Sequence, residues 1–251
     1  MSTPVFLVPG SSLDRVGPGA AVVLDGPEGR HAVAVRRIRV GERVVLSDGR
    51  GRAVDCVVTT VGKDSLACVV EVARAVQPPD VSITVVQAVP KGDRGELAVE
   101  LMTEAGVDDI VPWAAARCVA RWDGDKATRG VAKWTATARE AAKQSRRVWL
   151  PRIHPLASTR EVLELIRAAE LCVVLHESAT RAISDLVLPT SGVVVVVVGP
   201  EGGLADEELA TFSAQPVRLG PEVVRTSTAG ALAAGVLLSR TARWQPPAGP
   251  A

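Results

Sequence analysis

The 251-residue chain has no tyrosine and only two phenylalanines, and even with five tryptophans its aromatic share is 3%. A broad stacking platform for single-stranded bases is therefore not expected. Cysteine and histidine are equally sparse. Cys56, Cys68, Cys118 and Cys172 are scattered with no C-x-x-C pair, and His31, His154 and His176 complete the set. Those spacings fit neither a disulfide framework nor a zinc site, so no metal is expected. The longest strictly aliphatic run, Val193 to Val198, falls far short of the ~20 residues of a membrane-crossing helix. MSTPVFLVPGSS has neither a basic start nor a long apolar stretch, which makes the cytoplasm the expected compartment. Nor does one sign of charge dominate: 29 Lys and Arg face 28 Asp and Glu.

What is present is an ordinary globular composition, 47% hydrophobic and 23% charged, long enough to bury roughly 70% of the unfolded surface. The charge is unevenly placed. Arg30 to Arg52 holds seven Arg and two acids, and Arg117 to Arg152 holds ten basic residues and three acids. Clustered cations on one surface are the footprint of a polyanion partner, RNA or DNA, because they release counterions from phosphates. The competing reading is a set of solvated faces.

The first ~70 residues alternate short Val-rich stretches with Gly, Pro and Asp turns, a pattern that predicts a small all-β barrel or sandwich. GRHAVAVRRIRVGERV lies within it, placing Arg36, Arg37, Arg39 and Arg43 along one edge. Two prolines at Gln77-Pro78-Pro79-Asp80 mark a boundary, giving domains 1–76 and 77–251. Beyond it strands alternate with helices. Strands are expected at 81–89, 110–111, 171–175, 193–198 and 216–220, and helices near 93–106, 126–147, 159–169, 205–213 and 225–240. Asp93 is the expected N-cap of the first helix, with Glu96 completing a capping box and Gly106 ending it. This order predicts a parallel α/β sheet, whose ligands bind beyond the carboxyl ends of its strands.

Three post-strand segments stand out. GPEGGLADEE, Gly199 to Glu208, follows the six-valine strand and opens a helix. Its paired glycines allow close backbone approach to a ligand, and the helix start adds partial positive charge. It is neither a Walker A loop nor G-x-G-x-x-G. LGPEVVRTSTAGALAAG, Leu219 to Gly235, repeats the layout and sets Arg225 at a helix start beside Thr226, Ser227 and Thr228, any of which is a candidate cap. The Arg225 fork suits a carboxylate, a phosphate or a developing oxyanion. His176-Glu177-Ser178 is the third segment and the weakest signal.

In order, VPKGDRGELAVELMTEAGVDDIVP, REAAKQSRRVWLPRI, VGPEGGLADEE and LGPEVVRTSTAGALAA resemble the 16S rRNA (uracil-N3)-methyltransferase family of the SPOUT superfamily. GRHAVAVRRIRVGERVVLSDGRG resembles that family's N-terminal PUA-like domain, so the resemblance spans nearly the whole chain. It implies a PUA-like β-barrel followed by a SPOUT α/β domain with a deep trefoil knot. It also implies an S-adenosylmethionine cofactor, a homodimer, and methylation of uridine 1498 of 16S rRNA on the small ribosomal subunit. By motif, His176, Val198, Gly199, Pro200, Gly203, Leu219, Gly220, Val223 and Val224 would hold the cofactor. Arg225 would contact a uracil oxygen or phosphate, and Glu201 would orient the cofactor or remove a proton. Arg36, Arg37, Arg139, Lys143, Arg146 and Arg147 would position rRNA through phosphates. One departure is Ser227, where many members carry Glu. Rival readings are a SPOUT enzyme with another acceptor, a silent ribosome-assembly factor, and a metabolite enzyme without RNA.

Overall fold

The computed structural model describes residues 3–10, 12–214 and 216–245. The chain forms two units, Met1–Pro78 with Ala142–Leu150, and Pro79–Ala141 with Pro151–Ala251. The first is built on β1 (Val5–Leu7), β2 (Ala21–Leu24), β3 (Arg43–Ser47), β4 (Arg52–Val61) and β5 (Leu66–Ala75). They lie in the order β1-β3-β4-β5-β2, with β1 and β3 parallel and the other pairs antiparallel. Val54, Cys56 and Val58 of β4 and Leu66, Cys68 and Val70 of β5 alternate inward at strand period onto Phe6, Leu13 and Leu46. The β3–β4 turn is fixed by Asp48, whose Oδ1 accepts from the amides of Arg50 (2.7 Å) and Arg52 (3.0 Å). Gly51, at φ +101, lies so close to the Trp149 indole that a Cβ would meet it at 2.5 Å. Trp149 Nε1 donates to Val76 O at 3.1 Å, so the returning stretch Ala142–Leu150 is tied to this unit.

The second unit carries a seven-stranded, wholly parallel sheet. Its strands are β6 (Val81–Ala88), β7 (Asp109–Trp113), β8 (Arg152–Ile153), β9 (Leu171–Leu175), β10 (Arg181–Ala182), β11 (Gly192–Val198) and β12 (Pro216–Arg218). The order is β10-β12-β9-β11-β6-β7-β8. Helices α2 (Arg94–Ala105), α4 (Thr159–Ala168), α5 (Asp206–Phe212) and α6 (Thr226–Leu238) complete it, with α3 (Gly124–Gln144) as far as Ala141. The six-valine run fills β11 after Gly192, and five of its valines, Val194–Val198, are buried on both faces, which is why it reads as continuous rather than alternating. One face packs Val85, Val194 and Val196 on Met102, Trp134 and Leu237, and the other packs Val195 and Val197 on Trp113, Val162 and Phe212. The small residues of α6 allow tight seating, since a Cβ on Gly230 would meet Met102 Sδ at 2.8 Å.

Several expectations change. The N-terminal stretch expected to be all-β also holds helix: α1 (Gly26–Arg30) runs into a π-helical turn, His31–Val35. Pro27 starts it, and Gly29 lets it press against the Leu24 and Asp64 carbonyls, where a Cβ would stand at 2.7 and 2.6 Å. Asp93 does precede α2, but at φ −85 and ψ 3 its side chain makes no cap, and Glu96 pairs with Lys133 instead. Gly106 closes α2 at φ +99, as expected. At α6 the N-cap is Arg225 itself, with no side-chain cap; the Thr228 hydroxyl donates to Arg225 O at 3.1 Å. Among the described residues no helix is long and apolar enough to cross a membrane.

Candidate active site

Three adjacent strands, β9, β11 and β12, end at one place, and the segments leaving them enclose a cavity of about 160 Å³. All nine positions expected to hold a cofactor line it: His176, Val198, Gly199, Pro200, Gly203, Leu219, Gly220, Val223 and Val224. Leu175, Leu204, Val217, Arg218, Thr226 and Ala229 also line it. The last two come from α6, so one helix closes the space that the loops open.

The loop after β11 is shaped by its glycines. Gly203 holds φ +75 and donates to Pro200 O at 2.9 Å, closing a tight turn, while a Cβ on Gly199 would meet Leu204 at 3.0 Å. Two residues outside the cavity lining fix this loop. Glu208, 4% exposed, accepts from Ala205 N (3.0 Å) and from Ala116 N (2.8 Å), pinning the start of α5 to the segment after β7. Arg117, from that same segment, donates to Leu204 O at 3.1 Å, and its Cβ lies 3.3 Å from where Gly202 would carry one. Neither role was visible in sequence, although a Glu three residues after the start of a helix is a capping signal.

Buried polar groups at the base of α6 complete the arrangement. Gln87, at the end of β6 and fully buried, donates to Ala88 O (3.1 Å) and Thr226 O (3.4 Å). Gln87 Oε1 and Ser227 Oγ are buried without a partner among the described residues. Each lies beside a residue that lines the cavity, Ser227 next to Thr226 in the chain and Gln87 opposite Val198, but neither lines it. On the β9 loop, His176 Nδ1 and Ser178 Oγ are 2.8 Å apart, and Arg218 Nε donates to Gly220 O at 3.0 Å.

Glu201 and Arg225 flank the cavity without lining it, and both are exposed. The Arg225 carbonyl accepts from the amides of Thr228 (2.9 Å) and Ala229 (3.0 Å), anchoring its backbone while leaving the guanidinium outward.

A family model described as an RNA methyltransferase domain matches residues 77–238, and one described as an RNA methyltransferase PUA domain matches residues 24–71. The ribosomal RNA small subunit methyltransferase E of Mycobacterium bovis is 48% identical over 90% of this chain and 89% of its own length. The chain belongs to the ribosomal RNA small subunit methyltransferase E family. The Bacillus subtilis member is 32% identical over 82% of this chain and 85% of its own. The crystal structure of the Neisseria gonorrhoeae member, bound to S-adenosylmethionine, superposes with a TM-score of 0.83 at 27% identity, covering 96% of this chain and 98% of that one. The cavity suits this family's cofactor. Its walls are apolar at Leu175, Val198 and Leu219, its glycines bare the backbone, and its carboxylates, Glu177 and Glu222, suit a cationic ligand.

The basic residues expected at RNA separate by environment. In the first unit Arg36 and Arg37 are exposed, Arg37 at φ +53, and Arg146 is exposed at φ +58. Arg146 and Arg147 line a cavity of about 180 Å³ with Arg74 and Thr3. In the second unit Arg139 is exposed on α3. Lys143 departs from expectation. Its ammonium lies 3.2 Å from the Glu28 carboxylate with only 10% of the side chain exposed, so it is engaged inside the first unit and does not face solvent.

Proposed function

We propose that this chain, an S-adenosylmethionine-dependent rRNA methyltransferase by family, transfers the methyl group to N3 of a uridine of 16S rRNA, at the position known as uridine 1498. Its proposed substrate is the small ribosomal subunit. The observation that supports this reading most directly is the cavity at the ends of β9, β11 and β12, on which every motif-derived cofactor position falls. The domain assignment goes with it: residues 1–76 as a PUA-like RNA-binding barrel, and 77–251 as a SPOUT domain, knotted as a deep trefoil and homodimeric.

Bound there, S-adenosylmethionine supplies an electrophilic methyl on a sulfonium. The chain's residues supply the rest. Uridine N3 carries a proton at neutral pH, so that proton must leave and the charge spreading onto O2 and O4 must be stabilised. Arg225, exposed at the cavity edge, donates to a uracil oxygen or a neighbouring phosphate. Glu201, on the turn after β11, orients the cofactor or takes the proton. Arg36, Arg37, Arg139, Arg146 and Arg147 hold rRNA through phosphates.

The test is methyl transfer from labelled S-adenosylmethionine to unmodified small subunits and, separately, to protein-free rRNA, with products identified by nucleoside mass spectrometry. 3-Methyluridine on subunits is expected. Another methylated nucleoside would move the acceptor, and no product despite cofactor binding would leave an assembly factor.

A further inference from the structure

We propose that a second cavity, under the Trp122–Trp134 pair and past the end of β6, takes an unpaired nucleotide of the RNA that flanks the methylated one; this rests on the RNA-methyltransferase reading above. The cavity is about 200 Å³, and all of its lining comes from the second unit. Trp122 and the buried Trp134 meet edge to face, with centroids 5.1 Å apart. Two glycines make room for them. A Cβ on Gly130 would stand 2.6 Å from the Trp122 ring, and one on Gly95 would stand 2.8 Å from Trp134 Nε1.

Glu96 lines the same space. Its Oε1 takes the Lys133 ammonium at 2.7 Å, but its Oε2 is buried with no partner among the described residues. A buried carboxylate oxygen with a free lone pair calls for a donor. Lys126, Arg129 and Lys133 lie on one stripe of α3, at the spacing that shares a helix face, and all three are exposed.

Ligand chemistry follows from the combination. A phosphodiester has no hydrogen to offer Glu96, an apolar ligand leaves it unmet, and three cations repel a basic peptide. A nucleotide answers all three features: base N–H groups donate to Glu96, the base face meets an indole, and the phosphate meets the cations. The position supports an RNA source. Val89 and Pro90 of this cavity follow β6, and Gly199 and Pro200 of the cofactor cavity follow β11. β6 and β11 are paired neighbours, with Gln87 opposite Val198. Both cavities therefore open beyond the carboxyl ends of adjacent strands. With an aromatic share of 3% a broad stacking platform is not expected, but one base needs only one such site.

The experiment follows the tryptophan indole N–H resonances of the full-length protein, assigned with Trp122→Phe and Trp134→Phe. The probes are each of the four ribonucleoside 5′-monophosphates, a mixed-sequence RNA pentanucleotide and inorganic phosphate. At least one nucleotide and the pentanucleotide are expected to shift Trp122 and Trp134 while leaving Trp244 in place. Glu96→Gln is expected to weaken nucleotide binding about fivefold, the difference between a charged and a neutral acceptor. The same change removes a negative charge, so phosphate binding should hold or tighten, and the opposite signs isolate the base contact. Gly130→Ala, checked for folding by thermal melting, should displace the Trp122 ring and lower nucleotide affinity without touching a polar group. Indoles that stay still with all nucleotides overturn the proposal, as does inorganic phosphate producing the same shifts, which would leave an anion site only. Subunit methylation with silent indoles defeats this inference alone, whereas shifted indoles without methyl transfer defeat the acceptor assignment alone.

Discussion

Glu208 fixes the candidate site from behind, without touching the cavity. Its two carboxylate oxygens satisfy amides from chain segments that share no sequence neighbourhood, Ala116 and Ala205. Glu208→Ala leaves both amides without that acceptor, an expected loss of about 2 kcal/mol in urea unfolding, with cofactor affinity by calorimetry falling as the β11 loop loosens. Unchanged stability would show that the two amides find other partners. Arg225 differs, because its backbone is anchored and its side chain reaches outward. Arg225→Ala is expected to lower turnover about a hundredfold, the scale of one oxyanion donor, while S-adenosylmethionine affinity stays within about twofold. Turnover at the unsubstituted level would remove its proposed role. The acidic run after Gly203 was plain in sequence, but not which acid turns inward; among Asp206, Glu207 and Glu208 only Glu208 is buried.

At the scale of elements, β8 shows how a very short strand is held. It has two residues, Arg152 and Ile153, too few for a hydrophobic period of their own. It is secured by Asp109 on β7, 4% exposed, which takes Arg152 at 2.8 Å and His154 at 2.5 Å. Burial pushes the Asp109 carboxyl up, but the hydrogen bonds and charges of His154 and Arg152 outweigh it and hold the pKa below the usual carboxylate value. A depressed folded pKa stabilises the protein above the unfolded value and loses that stabilisation as pH falls through the folded one. Asp109→Asn is therefore expected to cost about 1–2 kcal/mol at pH 7, given that Arg152 is largely exposed. The gap should shrink below about pH 4. Parallel urea melts of both proteins at pH 7, 4 and 2.5 check it, and a gap that does not change with pH would reject the charge account.

For the whole molecule, the clustered cations make the broadest prediction. Replacing Arg36, Arg37 and Arg146 together by Ala is expected to flatten the slope of log affinity for rRNA against log salt by about 2, at roughly 0.7 per phosphate contact on single strands. Lys143→Ala should leave that slope unchanged and cost about 2 kcal/mol of stability by removing a largely buried ion pair with Glu28. A slope unmoved by the triple change would return those arginines to the solvated face, and a slope moved by Lys143→Ala would free it from its internal role. The parallel α/β sheet, its central strand and the segments after β9, β11 and β12 were legible in the sequence, because they rest on local signals: apolar runs, glycine pairs and the order of strands and helices. Long-range choices were not. The grouping of Ala142–Leu150 with the first unit, the burial of Lys143 against Glu28 and the pinning of the β11 loop by Glu208 join residues 73, 115 and 92 positions apart. The sequence by itself determined the long strands and helices of the second unit and the post-strand segments that line the cavity, since backbone sterics and hydrophobic period act within a few residues. Only the tertiary structure decided which charges face solvent and which are buried in pairs, because that depends on what packs against each one, and no local spacing encodes it.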